Sequence, residues 1–356
     1  MPEFTLIDRP AAMAPTLQAL DLVAVDTEFI REKTYFSQLC LVQLASADHI
    51  YCIDPLETEL ASFWESALAI PWVLHSGRQD IEVVYQAAER MPIAVFDTQI
   101  AAGLLGYPAQ MGYATLVKEL FDVEIDKTHT RADWSRRPLP EAYLHYAAED
   151  VEYLLPAYEV LAEKLDKMNR LAWAREDSAL LLDPGLYDID PATAIDRIKG
   201  ARNLRGKRRA AAARLAEWRE TEALRANRPR QWIARDSVLI ELASRLPRNP
   251  AELDRVDGLS AGLVRRSGNN ILAAIAKSLN DGNHYAPPTA PNEAQKSLLR
   301  SMQDKVASRA AELGIAAETV ASKRDLSAVV IDGDRNARVL SGWRRELIGE
   351  ELLALL

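Results

Sequence analysis

Every clear strand-like run in this 356-residue chain falls between residues 22 and 97, and that confinement limits the architecture more than any other feature. L-V-A-V-D-T-E-F (22–29), S-Q-L-C-L-V-Q-L-A (37–45) and H-I-Y-C-I-D (49–54) are apolar and closely spaced, as in an antiparallel meander. The pattern then alternates: helix near 57–69, strand at W-V-L-H-S (72–76), helix near 79–90, strand at A-V-F-D (94–97). Helices crossing between strands make the later strands parallel to the first, which predicts a mixed α/β sheet. From about 204 onward helical periods take over, and only V-V-I (329–331) is ambiguous.

Turn formers and charge divide the chain further. D-P-G-L-Y-D-I-D-P-A (183–192) and N-D-G-N-H-Y-A-P-P-T-A-P-N (280–292) interrupt any continuous helix, so three domains are expected, over 1–196, 197–285 and 286–356. The net charge of -9 conceals an asymmetry. Lys and Arg number 14 against 33 Asp and Glu in the first part, 19 against 9 in the second, and 10 against 10 in the third. R-I-K-G-A-R-N-L-R-G-K-R-R (197–209) carries seven positive charges and no negative one, a footprint suited to a polyanion or to a solvated linker. In the middle part, helices are expected over 208–225, over 237–246 with Asp236 or Ser237 as its cap, and over 268–279. Cys40 and Cys52 sit inside apolar runs without the spacing of a disulfide framework or zinc site, which fits a reducing cytoplasm. No stretch approaches the roughly 18 to 20 apolar residues of a membrane span, and no signal-peptide pattern opens the chain.

Four acids carry the chemistry. Asp26 and Glu28 are two apart on a strand, so both carboxylates share one face while Val25, Thr27 and Phe29 take the other. Asp80 follows the strand 72–76 in the first turn of the next helix, where it can return toward the same sheet edge or serve only the helix dipole. Asp150 lies in Y-L-H-Y-A-A-E-D-V-E-Y-L, four residues after Tyr146 and therefore about 40° from it around a helix. His145, five residues before Asp150, is about 140° away and is the weaker rival for a role beside that acid. Hard oxygen donors suit Mg²⁺ or Mn²⁺. Converging, the four acids can hold two such ions about 3.5 to 4 Å apart, with Tyr146 near an attacking water. His75, at a strand end, either lines the cleft or is a satisfied structural residue.

These segments resemble the ribonuclease D family, in the tyrosine subclass of the DEDD 3′–5′ exonucleases. The likeness rests on V-D-T-E-F (25–29), L-H-S-G-R-Q-D (74–80) and Y-A-A-E-D-V (146–151), and continues through F-D-T-Q-I-A-A (96–102), G-Y-A-T-L-V (112–117) and D-W-S-R-R-P-L (133–139). It implies metal ligands at Asp26, Glu28, Asp80 and Asp150 and a water-orienting Tyr146. It also implies an RNase H-like sheet of five strands in order 3-2-1-4-5, with strand 2 antiparallel. P-R-Q-W-I-A-R-D-S-V-L-I-E-L-A (229–243), P-R-N-P-A-E-L (247–253) and V-D-G-L (256–259) resemble an HRDC domain, and a second, divergent HRDC-like unit is expected over 286–356. The implied activity is stepwise hydrolysis of RNA from its 3′ hydroxyl by two Mg²⁺ or Mn²⁺ ions, releasing nucleoside 5′-monophosphates, in tRNA 3′ maturation. A single-stranded DNA 3′–5′ exonuclease and a catalytically silent RNA-binding scaffold are the alternatives. On this reading Arg202, Arg205, Lys207, Arg208 and Arg209 contact phosphates of a single-stranded 3′ end, such as that of a tRNA precursor. Phe29, Tyr113, Trp134 and His75 flank the terminal nucleotide or belong to the core. A cytoplasmic monomer is expected.

Overall fold

The computed structural model describes residues 3–125, 132–281, 285 and 290–356. Among the described residues six strands form one sheet: β1 (Phe4–Ile7), β2 (Val23–Ile30), β3 (Gln38–Ala45), β4 (Ile50–Ile53), β5 (Trp72–Leu74) and β6 (Val95–Asp97). Their order is β1-β4-β3-β2-β5-β6. β3 is antiparallel to β4, and β5 is parallel to both β2 and β6. The last five strands thus follow the expected 3-2-1-4-5 order, but the expected count of five is corrected to six. β1 adds itself parallel to β4, with Phe4 beside Ile50. Its four residues, the middle two exposed, are too few to display an alternation in sequence.

The period of two sorts the sheet's side chains between two cores. Val23, Val25, Val42 and Leu44 pack with Ile81, Val83 and Val84 of the Arg78–Ala88 helix. On the other face Ala24, Ala45 and Val73 meet Ala148 and Val151 of the Glu141–Glu152 helix, and Leu41 and Cys52 meet Leu144 and Ala147. The helices that carry Asp80 and Asp150 therefore approach β2 from opposite faces.

The chain forms two compact units, one of residues 1–30, 39–187 and 291–356, the other of 31–38 and 188–290. In the second, the helices Gly206–Ala226, Asp236–Arg245 and Ala261–Ser278 enclose Ala212, Leu215, Leu239, Leu242, Ile271 and Ile275. Asp236 opens its helix without capping it, and neither it nor Ser237 is the N-cap, which is Arg235. The Asp236 carboxylate instead accepts from Arg219 Nη1 at 2.6 Å and Gln231 Nε2 at 3.0 Å. Most of the turn expected over 280–292 lies outside the described residues. It gives way at Asn292 to a capping box that starts the Glu293–Leu313 helix. V-V-I proves helical, within Ala328–Asp332.

Residues 291–356 are tied to the sheet-bearing unit through polar groups as well as apolar ones. Asp177, on the Leu171–Ala179 helix and 3% exposed, accepts from Arg344 Nη2 at 2.8 Å, Arg338 Nη2 at 2.9 Å and Trp343 Nε1 at 3.2 Å. Trp343 stacks on Trp173 with ring centroids 4.4 Å apart. A buried guanidinium deprived of its anion is costly, so Asp177→Asn is expected to destabilise the fold by about 3 kcal/mol or more. Equilibrium denaturation should register the loss as a lower midpoint, and an unchanged midpoint would contradict this account of the contact.

Candidate active site

β2 supplies the first two acids and leaves room for the others. It pairs with β5 through Val23 and Ala24 but runs on to Ile30, so its acidic half extends past that ladder. Asp26, Glu28 and Asp150 each offer a carboxylate oxygen, and these oxygens all lie within 4.8 Å of one another. Ala24, Asp26 and Glu28 share the face covered by the Glu141–Glu152 helix, which explains how Asp150 joins them.

Asp80 comes from the opposite side and stands outside that tight trio. Its Oδ1 accepts from the Thr27 hydroxyl at 2.6 Å, and Thr27 is the residue that alternation aims at the other face of β2. Asp80 nonetheless lies close enough for its charge to raise the pKa of both Asp26 and Glu28. The turn that launches it is tightly held. Ser76 adopts φ +57°, and a Cβ on Gly77 would meet the Leu74 side chain at 2.7 Å. Asp97, at the end of β6, accepts from Ser76 N at 3.1 Å and Gly77 N at 2.9 Å while capping the Thr98–Leu104 helix. Thr27 and Asp97 escaped the sequence reading because each works through a partner more than 20 residues away. The D-T in F-D-T-Q was the available signal, since Asp before a helical run is an N-cap pattern.

Tyr146 hydrogen-bonds Asp150, as their spacing implied. His145 turns elsewhere: its ring lies edge-on to Phe4 at 5.0 Å and its Nε2 is 3.7 Å from Glu141. His75 Nε2–H donates to the Met111 carbonyl at 2.8 Å, and Nδ1 meets the Thr98 hydroxyl at 2.9 Å. Both nitrogens are thereby occupied. Burial lowers the His75 pKa against the opposing charge of Asp97, which favours the neutral ring. Tyr113 bridges two helices, donating to Glu149 O at 3.2 Å and accepting from Tyr153 N at 3.1 Å. Phe29 is half-buried against the core. Trp134 is 2% exposed and packs against Tyr143 and Tyr146, so it supports the wall behind Tyr146 rather than projecting as a wedge. Arg137 holds that segment in place, donating to Trp134 O and Cys40 O, each at 2.8 Å.

In the second unit Arg202, Arg205, Lys207 and Arg208 are exposed, whereas Arg209 is a correction to the basic run. It is 4% exposed and donates to Ala201 O at 2.9 Å, so its charge serves the interior.

The acids feel one another strongly. Burial, and then the charges of Asp80, Asp150 and Glu28, push Asp26 well above the usual carboxylate range. Burial followed by Asp150 and Asp80 raises Glu28 to about 9. Burial raises Asp150 to about 7 against the opposing hydrogen bond from Tyr146, and raises Asp80 to about 6 against that from Thr27. Among the described residues, burial and neighbouring acids dominate these surroundings. Such a set of hard oxygen donors fits a divalent cation, which would offset the repulsion.

Residues 4–166 match the 3′-5′ exonuclease family, and residues 208–275 match the HRDC domain. Ribonuclease D from Granulibacter bethesdensis is 40% identical, the match covering 99% of this chain and 93% of that one. This chain belongs to the ribonuclease D family. Ribonuclease D from Acidiphilium cryptum is also 40% identical, with the same two coverages. The crystal structure of Escherichia coli RNase D, an exoribonuclease involved in structured RNA processing, superposes with a TM-score of 0.90 at 30% identity. It covers 100% of this chain and 99% of that chain. Family membership supplies the divalent-metal dependence that the acidic cluster fits.

The raised carboxyl pKa values fix the sign of a pH effect. In metal-free protein these acids favour the fold while protonated, and that contribution fades as pH climbs from about 4 through about 6, 7 and 9. Thermal unfolding in EDTA should therefore show a midpoint that falls between pH 6 and pH 9. Millimolar Mg²⁺ should raise it more at pH 9 than at pH 6, and an equal or absent rise at the two values would contradict the cluster's assigned burden.

Proposed function

We propose that this protein is a 3′–5′ exoribonuclease whose Asp26, Glu28, Asp80 and Asp150 hold two divalent ions, Mg²⁺ or Mn²⁺, beside the last phosphodiester of an RNA. The observation that carries the site assignment is the convergence of Asp26, Glu28 and Asp150 oxygens within 4.8 Å, with Asp80 in electrostatic contact. Bound ions would lower the pKa of a water and offset charge on the departing 3′ oxygen. The protein's own groups then do the positioning. Thr27 fixes the rotamer of Asp80 by its hydrogen bond, and Asp97 fixes the turn from which Asp80 starts. Tyr146, hydrogen-bonded to Asp150 and backed by Trp134, presents its phenol where an attacking water needs an orienting partner. With its O–H given to Asp150, the phenolic oxygen can still accept a hydrogen bond from that water.

The second unit supplies attraction that the acidic site lacks. Phosphates are repelled by uncompensated carboxylates, and the exposed Arg202, Arg205, Lys207 and Arg208 provide a sequence-independent counterweight. Residues 291–356, with balanced charge and a buried anchorage at Asp177, are assigned to shaping the nuclease unit as a divergent HRDC-like block. Trimming 3′ ends of structured RNAs such as tRNA precursors is the task this combination suits. A reducing cytoplasm accords with the buried free thiols Cys40 and Cys52, and among the described residues no helix is long and apolar enough to cross a membrane.

Labelled oligonucleotides test the reading. A 5′-labelled single-stranded RNA in Mg²⁺ should shorten one nucleotide at a time, the same RNA in EDTA should persist, and a matching DNA should be cut more slowly. Asp26→Asn should reduce hydrolysis to background with RNA binding retained, and ordinary turnover by that variant would remove Asp26 from the ligand set. Tyr146→Phe should slow single-turnover cleavage by about 100-fold or more with little change in RNA affinity. Equal rates for this variant and wild type would argue against water positioning.

A further inference from the structure

A tryptophan exposed among arginines marks a second contact surface at the far end of the Gly206–Ala226 helix. Asn227 ends that helix with φ +44°, and the chain reverses through R-P-R-Q-W (228–232). The short Arg230–Ile233 turn buries Ala234 and leaves Trp232 59% exposed. Trp232 is the one aromatic side chain among the exposed large hydrophobic residues described, and exposure of an indole forgoes a large contact area. It flanks a groove of about 270 Å³ with Ile233 and Leu263 along its apolar part. Arg225, Arg228 and Arg266 stand around it, all exposed. Glu222 is the only acid among the described lining residues and pairs with Arg225 at 2.8 Å, so they keep a net charge of about +2 at neutral pH. Asn270, also on the rim, offers both a donor and an acceptor.

We propose that this groove binds one unpaired nucleotide of an RNA strand, its base stacked on Trp232 and its flanking phosphates held by Arg228 and Arg266. The inference rests on the exoribonuclease reading for the identity of the strand and adds where the second unit grips it. A flat apolar ring beside cations matches the alternation of base and phosphate in a single strand. An acidic peptide would satisfy the arginines but leave the indole without a planar partner. The surface is also distinct from the basic run that the sequence singled out. Arg202 to Arg208 sit at or before the start of the Gly206–Ala226 helix, and the groove lies at its end, about 30 Å away for a helix of 21 residues. Stacking adds what the basic run lacks, a preference for unpaired over base-paired RNA.

Fluorescence anisotropy with a labelled 20-nucleotide oligouridylate in EDTA measures binding without hydrolysis, so a failure of the nuclease reading would show separately, as intact RNA in Mg²⁺. Trp232→Ala should weaken binding by about ten-fold or more, and Trp232→Phe by no more than about three-fold. The double substitution Arg228→Glu and Arg266→Glu should weaken it too and reduce the slope of log affinity against log salt by about one or more. Wild type should bind the single strand more tightly than an RNA duplex of equal length, and Trp232→Ala should narrow that gap. Unchanged affinity in Trp232→Ala, with circular dichroism showing the fold intact, would overturn the proposal. So would a Trp232→Ala loss that is equal for single strand and duplex.

Discussion

Mutual repulsion among the carboxylates of Asp26, Glu28, Asp80 and Asp150 is the constraint on which the rest of the fold turns. Left to themselves, acids this close and this buried separate or take up protons. The protein prevents separation by mounting them on three rigid supports. Two share a face of β2, one rides the helix that covers that face, and one enters from the opposite side and is latched by Thr27. The apolar cores on both faces of the sheet are therefore part of the site's chemistry, because they fix the helices that carry Asp80 and Asp150. Oxygen donors assembled at such a cost in electrostatic energy are useful chiefly to a cation.

The polar anchors that surround the cluster extend the same logic. Asp97 fixes the turn beneath Asp80, Tyr113 joins the end of the Asp150 helix to the next one, and Arg137 holds the segment that backs Tyr146. Asp177 performs a comparable service at a distance, fastening residues 291–356 to the unit that bears the sheet. Each is a buried or half-buried polar group whose partners are supplied by the protein, as burial requires.

What was legible in the sequence followed local periodicity. Alternation gave β2 and the shared face of Asp26 and Glu28, and helical angles selected Tyr146 over His145, which the structure turns toward Phe4. Neighbourhoods made by distant residues were not legible. β1 is an edge strand of four residues and leaves no alternation to read. Arg209 looked like its basic neighbours, yet Ala201 draws it inward, and Trp134 proved to be core. Nothing local revealed that residues 291–356 would join the first unit, because Asp177 and Arg344 are 167 positions apart. The exposure of Trp232 was equally hidden, since an aromatic three residues after a proline is as compatible with a core as with a binding surface.

Anomalous X-ray scattering from crystals grown with Mn²⁺ and a non-hydrolysable RNA end is the measurement closest to the central claim. Two peaks about 3.5 to 4 Å apart, bounded by oxygens of Asp26, Glu28, Asp80 and Asp150, are the predicted result. A well-ordered RNA 3′ end beside these four carboxylates with no manganese among them would contradict it.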